Sequence, residues 1–254
     1  MKTIILGFFT TAVCTLSYAN DLGPKRTETG EIKIEKDYRL EADLGYLINS
    51  SKSEGSSSTT KENLSAHVLF QRQVDQWGQE LLAEAVSTND DSSNDNIERY
   101  LVSGKLLHRS SPTVYQFGKL TAEKDLSSAF DYQLTLSAGV GKDVIKTDEQ
   151  SLSVEVGAGY RYSKERYAPR DDISEAIGIV GAYYQYQINP QVRFNQDLSY
   201  EAGSDTRTLR SRTALSADLT QSFAAVASYN IKDLRSDAGD SRDSLLSLGL
   251  RYKY

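Results

Sequence analysis

From Tyr38 onward the chain alternates apolar and polar residues with a period of two. Tyr38, Leu40, Ala42, Leu44, Tyr46 and Ile48 take the even positions, and Asp37, Arg39, Glu41, Asp43 and Gly45 the odd ones. The contrast returns where Phe130, Tyr132, Leu134, Leu136, Ala138 and Val140 oppose Asp131, Gln133, Thr135, Ser137, Gly139 and Gly141. It returns again where Val154, Val156, Ala158 and Tyr160 oppose Ser153, Glu155, Gly157, Gly159 and Arg161. In a helix, successive even positions step by about 200° and would scatter such residues around the axis, whereas in a strand they share one face. The pattern therefore predicts strands, at 37–48, 63–74, 79–88, 97–108, 113–122, 128–141, 151–163, 174–188, 191–202, 207–219, 223–233 and 243–254. The third to fifth fit least well, because Leu82, Leu101 and Leu107 fall on the face assigned as polar. Each segment has roughly the 10 residues that a tilted strand needs to cross a bilayer. The expected fold class is all-β, a transmembrane antiparallel up-and-down β-barrel of about 12 strands.

The connections also alternate. Long polar linkers at 49–62, 89–96, 164–173 and 234–242 take turns with short ones such as Asp75-Gln76-Trp77-Gly78, Ser110-Ser111-Pro112, Asn189-Pro190 and Thr220-Gln221-Ser222. Outer-membrane barrels combine long external loops with short periplasmic turns, which this order matches. The linkers at 123–127 and 142–150 reverse the expected lengths, and 203–206 is short for an external loop. With the first strand running outward, Tyr38, Tyr115, Phe117, Tyr184, Tyr186, Phe194, Phe223, Tyr252 and Tyr254 fall at periplasmic ends. Tyr46, Phe130, Tyr132, Tyr160, Tyr162 and Tyr200 fall at external ends. Two aromatic belts framing Leu, Val and Ala are what amphipathic rings at a lipid–water boundary produce. Proline placement agrees, since Pro24, Pro112, Pro169 and Pro190 all lie outside the strands, where none removes a ladder hydrogen bond.

The N-terminus reads differently. Lys2 is followed by the apolar stretch Ile4 to Leu16 and then by Ser17-Tyr18-Ala19, with small residues at the −3 and −1 positions before Asn20. This is the three-part layout of a secretory signal peptide, with cleavage expected between Ala19 and Asn20. Cys14 lies inside that segment behind Val13, where a lipoprotein signal needs a small residue, so no lipid anchor is expected. Residues 20–36 then form an N-terminal periplasmic segment and 37–254 the barrel. The mature chain would hold no cysteine, which leaves it without a disulfide, a thiolate metal site or a cysteine nucleophile.

Composition narrows the class further. The 254 residues are 39% hydrophobic and 25% charged, with a formal charge of −6. No run of about 18 apolar residues follows the first two dozen positions, so a bundle of membrane-spanning helices is excluded. The apolar content is too high and too evenly spread for a disordered chain. Basic residues never cluster into a patch, which argues against a nucleic-acid partner.

The polar face is the place to look for chemistry. It carries both signs: Arg39, Glu41, Asp43, Glu155, Arg161, Arg193, Asp197, Glu201, Arg210, Arg212, Asp218, Arg251 and Lys253 are expected to face the lumen. Such groups either pair across the barrel and plug it, or line a water-filled channel that selects by charge and size. Arg193, Arg210 and Arg212 could form a basic ladder suited to an anionic solute, or be paired internally. Inward Gly139, Gly141, Gly157 and Gly159 suggest close packing against a bulky partner such as Tyr183. A hydrolase would need a nucleophile beside an oriented histidine, yet only His67 and His108 are present, the first on the inward face and the second at a strand end. No catalytic residue, metal or cofactor is expected; Asp90, Asp91 and Asp95 read as a solvated acidic loop.

The closing LLSLGLRYKY is the most specific signal, with Leu246, Leu248, Leu250, Tyr252 and Tyr254 on one unbroken apolar face. It resembles the terminal signature by which the barrel assembly machinery recognises its substrates. Together with TVYQFGKLTAEKDLSSAFDYQLTLSAGVGKDV and LSVEVGAGYRYSKE, this ending resembles the salt-induced outer membrane protein family, whose shared domain has no assigned function. The resemblance covers most of the mature chain and rests on a strand–Gly-x-Gly–strand pattern, with no catalytic motif to carry over. It implies a barrel exported to the outer membrane of a Gram-negative bacterium, in contact with lipid and lipopolysaccharide. The leading expectation is a narrow channel or a structural, stress-related envelope component. Two alternatives are a surface-binding module acting through loops 49–62 and 89–96, and a soluble periplasmic barrel carrying a ligand among inward Leu, Val and Tyr faces.

Overall fold

A computed structural model describes residues 25–26, 32–33, 38–51, 59–90, 97–166, 171–237 and 239–254. Ala19 and Asn20, at the expected cleavage site, lie outside the described residues. A two-residue antiparallel ladder joins β1 (Lys25–Arg26) to β2 (Ile32–Lys33). Twelve longer strands follow: β3 (Tyr38–Ser51), β4 (Thr59–Val74), β5 (Trp77–Asp90), β6 (Ile97–Arg109), β7 (Val114–Asp125), β8 (Phe130–Lys146), β9 (Gln150–Glu165), β10 (Ile173–Asn189), β11 (Val192–Ala202), β12 (Thr206–Asp218), β13 (Phe223–Ser236) and β14 (Ser241–Lys253). Each pairs antiparallel with its neighbours in sequence, and β14 pairs with β3 to close the barrel. The fold is thus the all-β, twelve-stranded up-and-down barrel that the alternation predicts, and closure leaves no lateral sheet edge. The closing seam runs from Leu248↔Tyr46 to Lys253↔Glu41, extended by reciprocal backbone bonds between Leu40 and Tyr254 of 3.1 and 3.0 Å.

Both termini of the barrel lie at one end, here the terminal end; the opposite end is the loop end. Terminal-end turns are short because β8 continues to Lys146, leaving only 147–149 where a longer linker was expected. Asp143 stays in the sheet because it points inward and accepts hydrogen bonds from Arg109 and Ser153, both at 2.8 Å. β7 likewise runs to Asp125, whose carboxylate is buried inside. The two-residue turn between β4 and β5 places Asp75 at φ 51°, the left-handed conformation that a short polar side chain tolerates, and Gln73 Nε2 donates to its carbonyl at 2.9 Å.

Side chains of alternate parity separate into two environments. Leu44, Val102, Leu120, Leu136, Val156 and Leu250 point outward and stay exposed. Glu41, Lys105, Glu155, Arg161, Lys232 and Arg251 point inward and are buried. Such an apolar exterior around a polar interior is the arrangement a lipid-embedded barrel requires. It is the reverse of a soluble carrier with inward Leu, Val and Tyr faces.

Tyr46, Tyr160 and Tyr200 point outward, as do the paired rings Tyr132–Tyr162, Tyr184–Phe194 and Phe223–Tyr252, whose centroids are 5.9, 6.3 and 5.5 Å apart. Tyr38 packs on Phe70, and Tyr186 lies opposite Phe194 in register. Three rings depart from the expected belts. Phe130 is 1% exposed, because a register shift between Phe130 and Tyr132 takes it out of the outward phase of β8. Tyr115 and Phe117 are also buried, in phase with Glu123 and Asp125 on the inward face of β7. Their register partners Gly141 and Gly139 make the room: a Cβ on Gly141 would lie 2.2 Å from Tyr115 Cζ. The bulky partners of these glycines are therefore Tyr115 and Phe117 rather than Tyr183, which lies by Gly181.

Candidate functional site

The lumen is the candidate site. A twelve-stranded barrel is wider than one that its own side chains just fill, so something must occupy the extra space. Here charged side chains long enough to reach across do so, in three groups.

In the loop half, Lys232 Nζ on β13 donates to Glu123 (2.6 Å) and Asp125 (2.5 Å) on β7. Glu123 also accepts from Arg210 on β12 at 2.5 Å, and Arg210 reaches Glu201 on β11 at 3.4 Å. Glu201 binds Arg161 on β9, whose other nitrogen donates to Thr206 Oγ1 at 2.8 Å. Thr206 Oγ1 in turn donates to Glu175 on β10. One continuous chain of contacts thus links six strands. Phe130, Leu234, Leu245 and Ile177 fill the space around it and are buried.

In the terminal half, Arg251 on β14 pairs with Asp43 (2.6 Å) and Glu41 (3.1 Å) on β3. Arg212 reaches the same Asp43 at 2.8 Å, while Arg39 and Arg193 share Glu41. His67 sits between Asp43 and Glu84, at 3.8 and 3.7 Å. In the third group Lys105 on β6 binds Glu155 on β9 beneath the rings of Phe117 and Tyr183, 5.0 and 5.4 Å from their centroids. Tyr115 Oη donates to the same Glu155 at 2.7 Å. Lys253 and Asp218 pair at the terminal rim, 2.6 Å apart. Charges held out of water this way are tolerable only with close, multiply hydrogen-bonded partners, as these have.

Every one of the lumen-facing candidates lies on an inward face. Arg193, Arg210 and Arg212 do not act together as a free basic ladder, because each is claimed by carboxylates. Asp197 stands apart, without a Lys or Arg ion pair among the described residues. Lys105, Glu123, Asp125 and Lys232 were absent from the candidates read from sequence. Their signal is present all the same: on β7, Lys119, Thr121, Glu123 and Asp125 alternate with Leu120 and Ala122.

Between the networks runs a cavity of about 380 Å³. It extends from Arg39, Arg109 and Ser153 near the terminal mouth to Arg210 and Lys232 at the underside of the loop-half network. Leu69, Leu82, Leu101 and Leu107 form its apolar wall, which explains why Leu82, Leu101 and Leu107 depart from the expected alternation. Among the described residues no group of three or more His, Cys, Asp or Glu is placed to hold a metal ion. His108 lies outside, packed on Trp77 with centroids 4.8 Å apart. At the loop end Tyr162 Oη donates to Asp172 at 2.5 Å, a hydrogen bond that holds the Asp172 carboxyl below its ordinary pKa.

A family model described as "Protein of unknown function, DUF481" matches residues 42–254, the barrel almost entire. The chain belongs to this family. The "Uncharacterized protein YdiY" of Escherichia coli (strain K12) is 26% identical over 199 residues, covering 78% of this chain and 74% of that one. Among solved structures, the translocator domain of autotransporter NalP from Neisseria meningitidis aligns with a TM-score of 0.48 at 9% identity, over 86% of this chain and 88% of that one. The KdgM porin aligns with a TM-score of 0.45 at 11% identity, over 85% and 99%.

Proposed function

We propose that this DUF481 protein is an integral outer-membrane β-barrel of a Gram-negative bacterium whose lumen is plugged by paired charge, and that it serves as a structural, stress-related component of the envelope rather than as an open pore or an enzyme. The supporting observation is the contact chain Lys232–Glu123–Arg210–Glu201–Arg161–Thr206–Glu175, which crosses the loop half of the barrel without a gap in its partners. In this reading a signal peptide cleaved after Ala19 exports the chain. The outward face of β14, with Leu246, Leu248, Leu250, Tyr252 and Tyr254, serves the barrel assembly machinery. The terminal end faces the periplasm, the loop end faces outward among lipopolysaccharide, and the aromatic rings mark the lipid boundary. The chain's own resemblance to salt-induced outer-membrane proteins makes high external salt the stress to examine.

Single-channel recording of refolded residues 20–254 in a planar bilayer tests this reading. A silent, folded barrel is the expected result. Stable conductance steps that scale with salt would refute the plug, and replacing Arg193, Arg210 and Arg212 by Ala would then show whether they set the selectivity.

A further inference from the structure

The lumen cavity is close to electrically neutral. Its lining holds eight Lys or Arg against seven Asp or Glu, and opposite signs stand side by side in the sheet, Glu80 in register beside Lys105 and Asp197 beside Arg212. An ion of either sign that enters gives up hydration and meets no uncompensated charge in return. What the cavity leaves open is neutral hydrogen-bonding capacity. Ser151, Gln185 and Asn195 form one register row across β9, β10 and β11, and Ser199 on β11 and Asn230 on β13 line the same space. Among the described residues, none of these five side chains makes a hydrogen bond. Asn195 Oδ1 is also shielded from water, and a buried acceptor without a donor costs free energy until one reaches it.

The opposite wall is apolar. Leu69, Leu82, Leu101 and Leu107 lie on β4, β5 and β6, half-way round the ring of strands from β10, β11 and β12. A solute between the two walls meets amides and hydroxyls on one side and methyl groups on the other. The volume of about 380 Å³ falls within the range of small-molecule pockets, which combine an apolar lining with a few placed polar groups in this way. A ring sugar has the matching two-sided character, with hydroxyls that donate and accept around its edge and a C–H face that packs on apolar surface. A purely aliphatic solute would leave the amide row unpaired.

We propose that the cavity binds a neutral mono- or disaccharide from the periplasmic side, its hydroxyls on Gln185, Asn195 and Ser199 and a C–H face on Leu69 and Leu82. The proposal rests on the plugged-lumen reading, which leaves the terminal mouth as the entrance. The side-chain amides offer both donors and acceptors to the hydroxyls, and Asn195 Oδ1 gains the donor it lacks. Charged sugars are disfavoured, because the surrounding Lys, Arg, Asp and Glu already neutralise one another.

The test is saturation-transfer NMR on the refolded protein in lipid nanodiscs, with glucose, galactose, mannose and trehalose as neutral probes and glucuronate and glucosamine as charged ones. At least one neutral sugar is expected to bind, more tightly than either charged one. Gln185→Leu and Asn195→Leu remove side chains that have no hydrogen-bonding partner in the protein, so neither strands a neighbour, and both variants should refold as well as the parent. Each is expected to weaken binding about fivefold, the size of one neutral hydrogen bond. Leu82→Ala should weaken it as well, while Asp172→Asn at the loop end should leave it unchanged. Absence of saturation transfer to all four neutral sugars, equal or tighter binding of glucuronate or glucosamine, or undiminished affinity in the two Leu variants would overturn the proposal. The conductance recording reports separately on the plug. A silent barrel that binds no neutral sugar defeats the sugar site alone, whereas a conducting barrel defeats the plug and, with it, the one-sided entry proposed here.

Discussion

Replacing Lys232 by methionine isolates the charge network from the barrel that holds it. The Lys232 side chain is 2% exposed and its two partners, Glu123 and Asp125, are 3% and 4% exposed, so the ammonium loss cannot be made good by water. The two carboxylates do not suffer alike. Glu123 keeps Arg210 at 2.5 Å, whereas Asp125 keeps only the backbone N–H and hydroxyl of Ser127, at 2.9 and 2.6 Å. Removing one partner of a buried pair costs about 3–5 kcal/mol when the other charge is left bare. With Asp125 half-compensated and Glu123 still paired, the low end applies, about 3 kcal/mol. The assay is urea unfolding in lipid vesicles, followed by tryptophan fluorescence of Trp77 and by the mobility difference between folded and unfolded barrels on a gel. A second substitution, Asp125→Asn in the Lys232→Met background, removes the stranded charge and should recover more than half of the loss. A Lys232→Met loss below about 1 kcal/mol would place the pair among exposed ones in energetic terms and refute its role as a plug. Failure of Asp125→Asn to recover any of it would show that packing, not charge, sets the cost.

Two further outcomes follow from the outward face. Leu248→Arg places a cation on exposed apolar surface of β14 and should destabilise the barrel in vesicles by about 2–4 kcal/mol if the residue lies near the bilayer centre, measured by the same unfolding titration; a neutral outcome would mean that this face does not meet lipid. Trp77, 58% exposed at the terminal end beside His108, should be quenched more by lipids labelled near the headgroup than by those labelled at the chain terminus. Equal quenching by both, or none, would contradict its place at a lipid boundary.

What the sequence determines by itself is whatever depends on neighbours along the chain. A side-chain period of two assigns each residue of an unbroken strand to one of two faces, so the strand count, the up-and-down order and the inward set from Arg39 to Arg251 are written in the local pattern. The same logic fails wherever one residue is inserted into the register: the shift beside Tyr132 turns Phe130 inward with no mark in composition. It fails too where both faces look apolar, as on β5 and β6, because Leu82, Leu101 and Leu107 line a cavity rather than lipid. Which charges neutralise one another was decided by the tertiary structure alone. Arg251 meets Asp43 across 208 positions of sequence and Lys232 meets Glu123 across 109, distances that only barrel closure brings to contact. Electrostatic pairing depends on separation in space, and no periodicity encodes that.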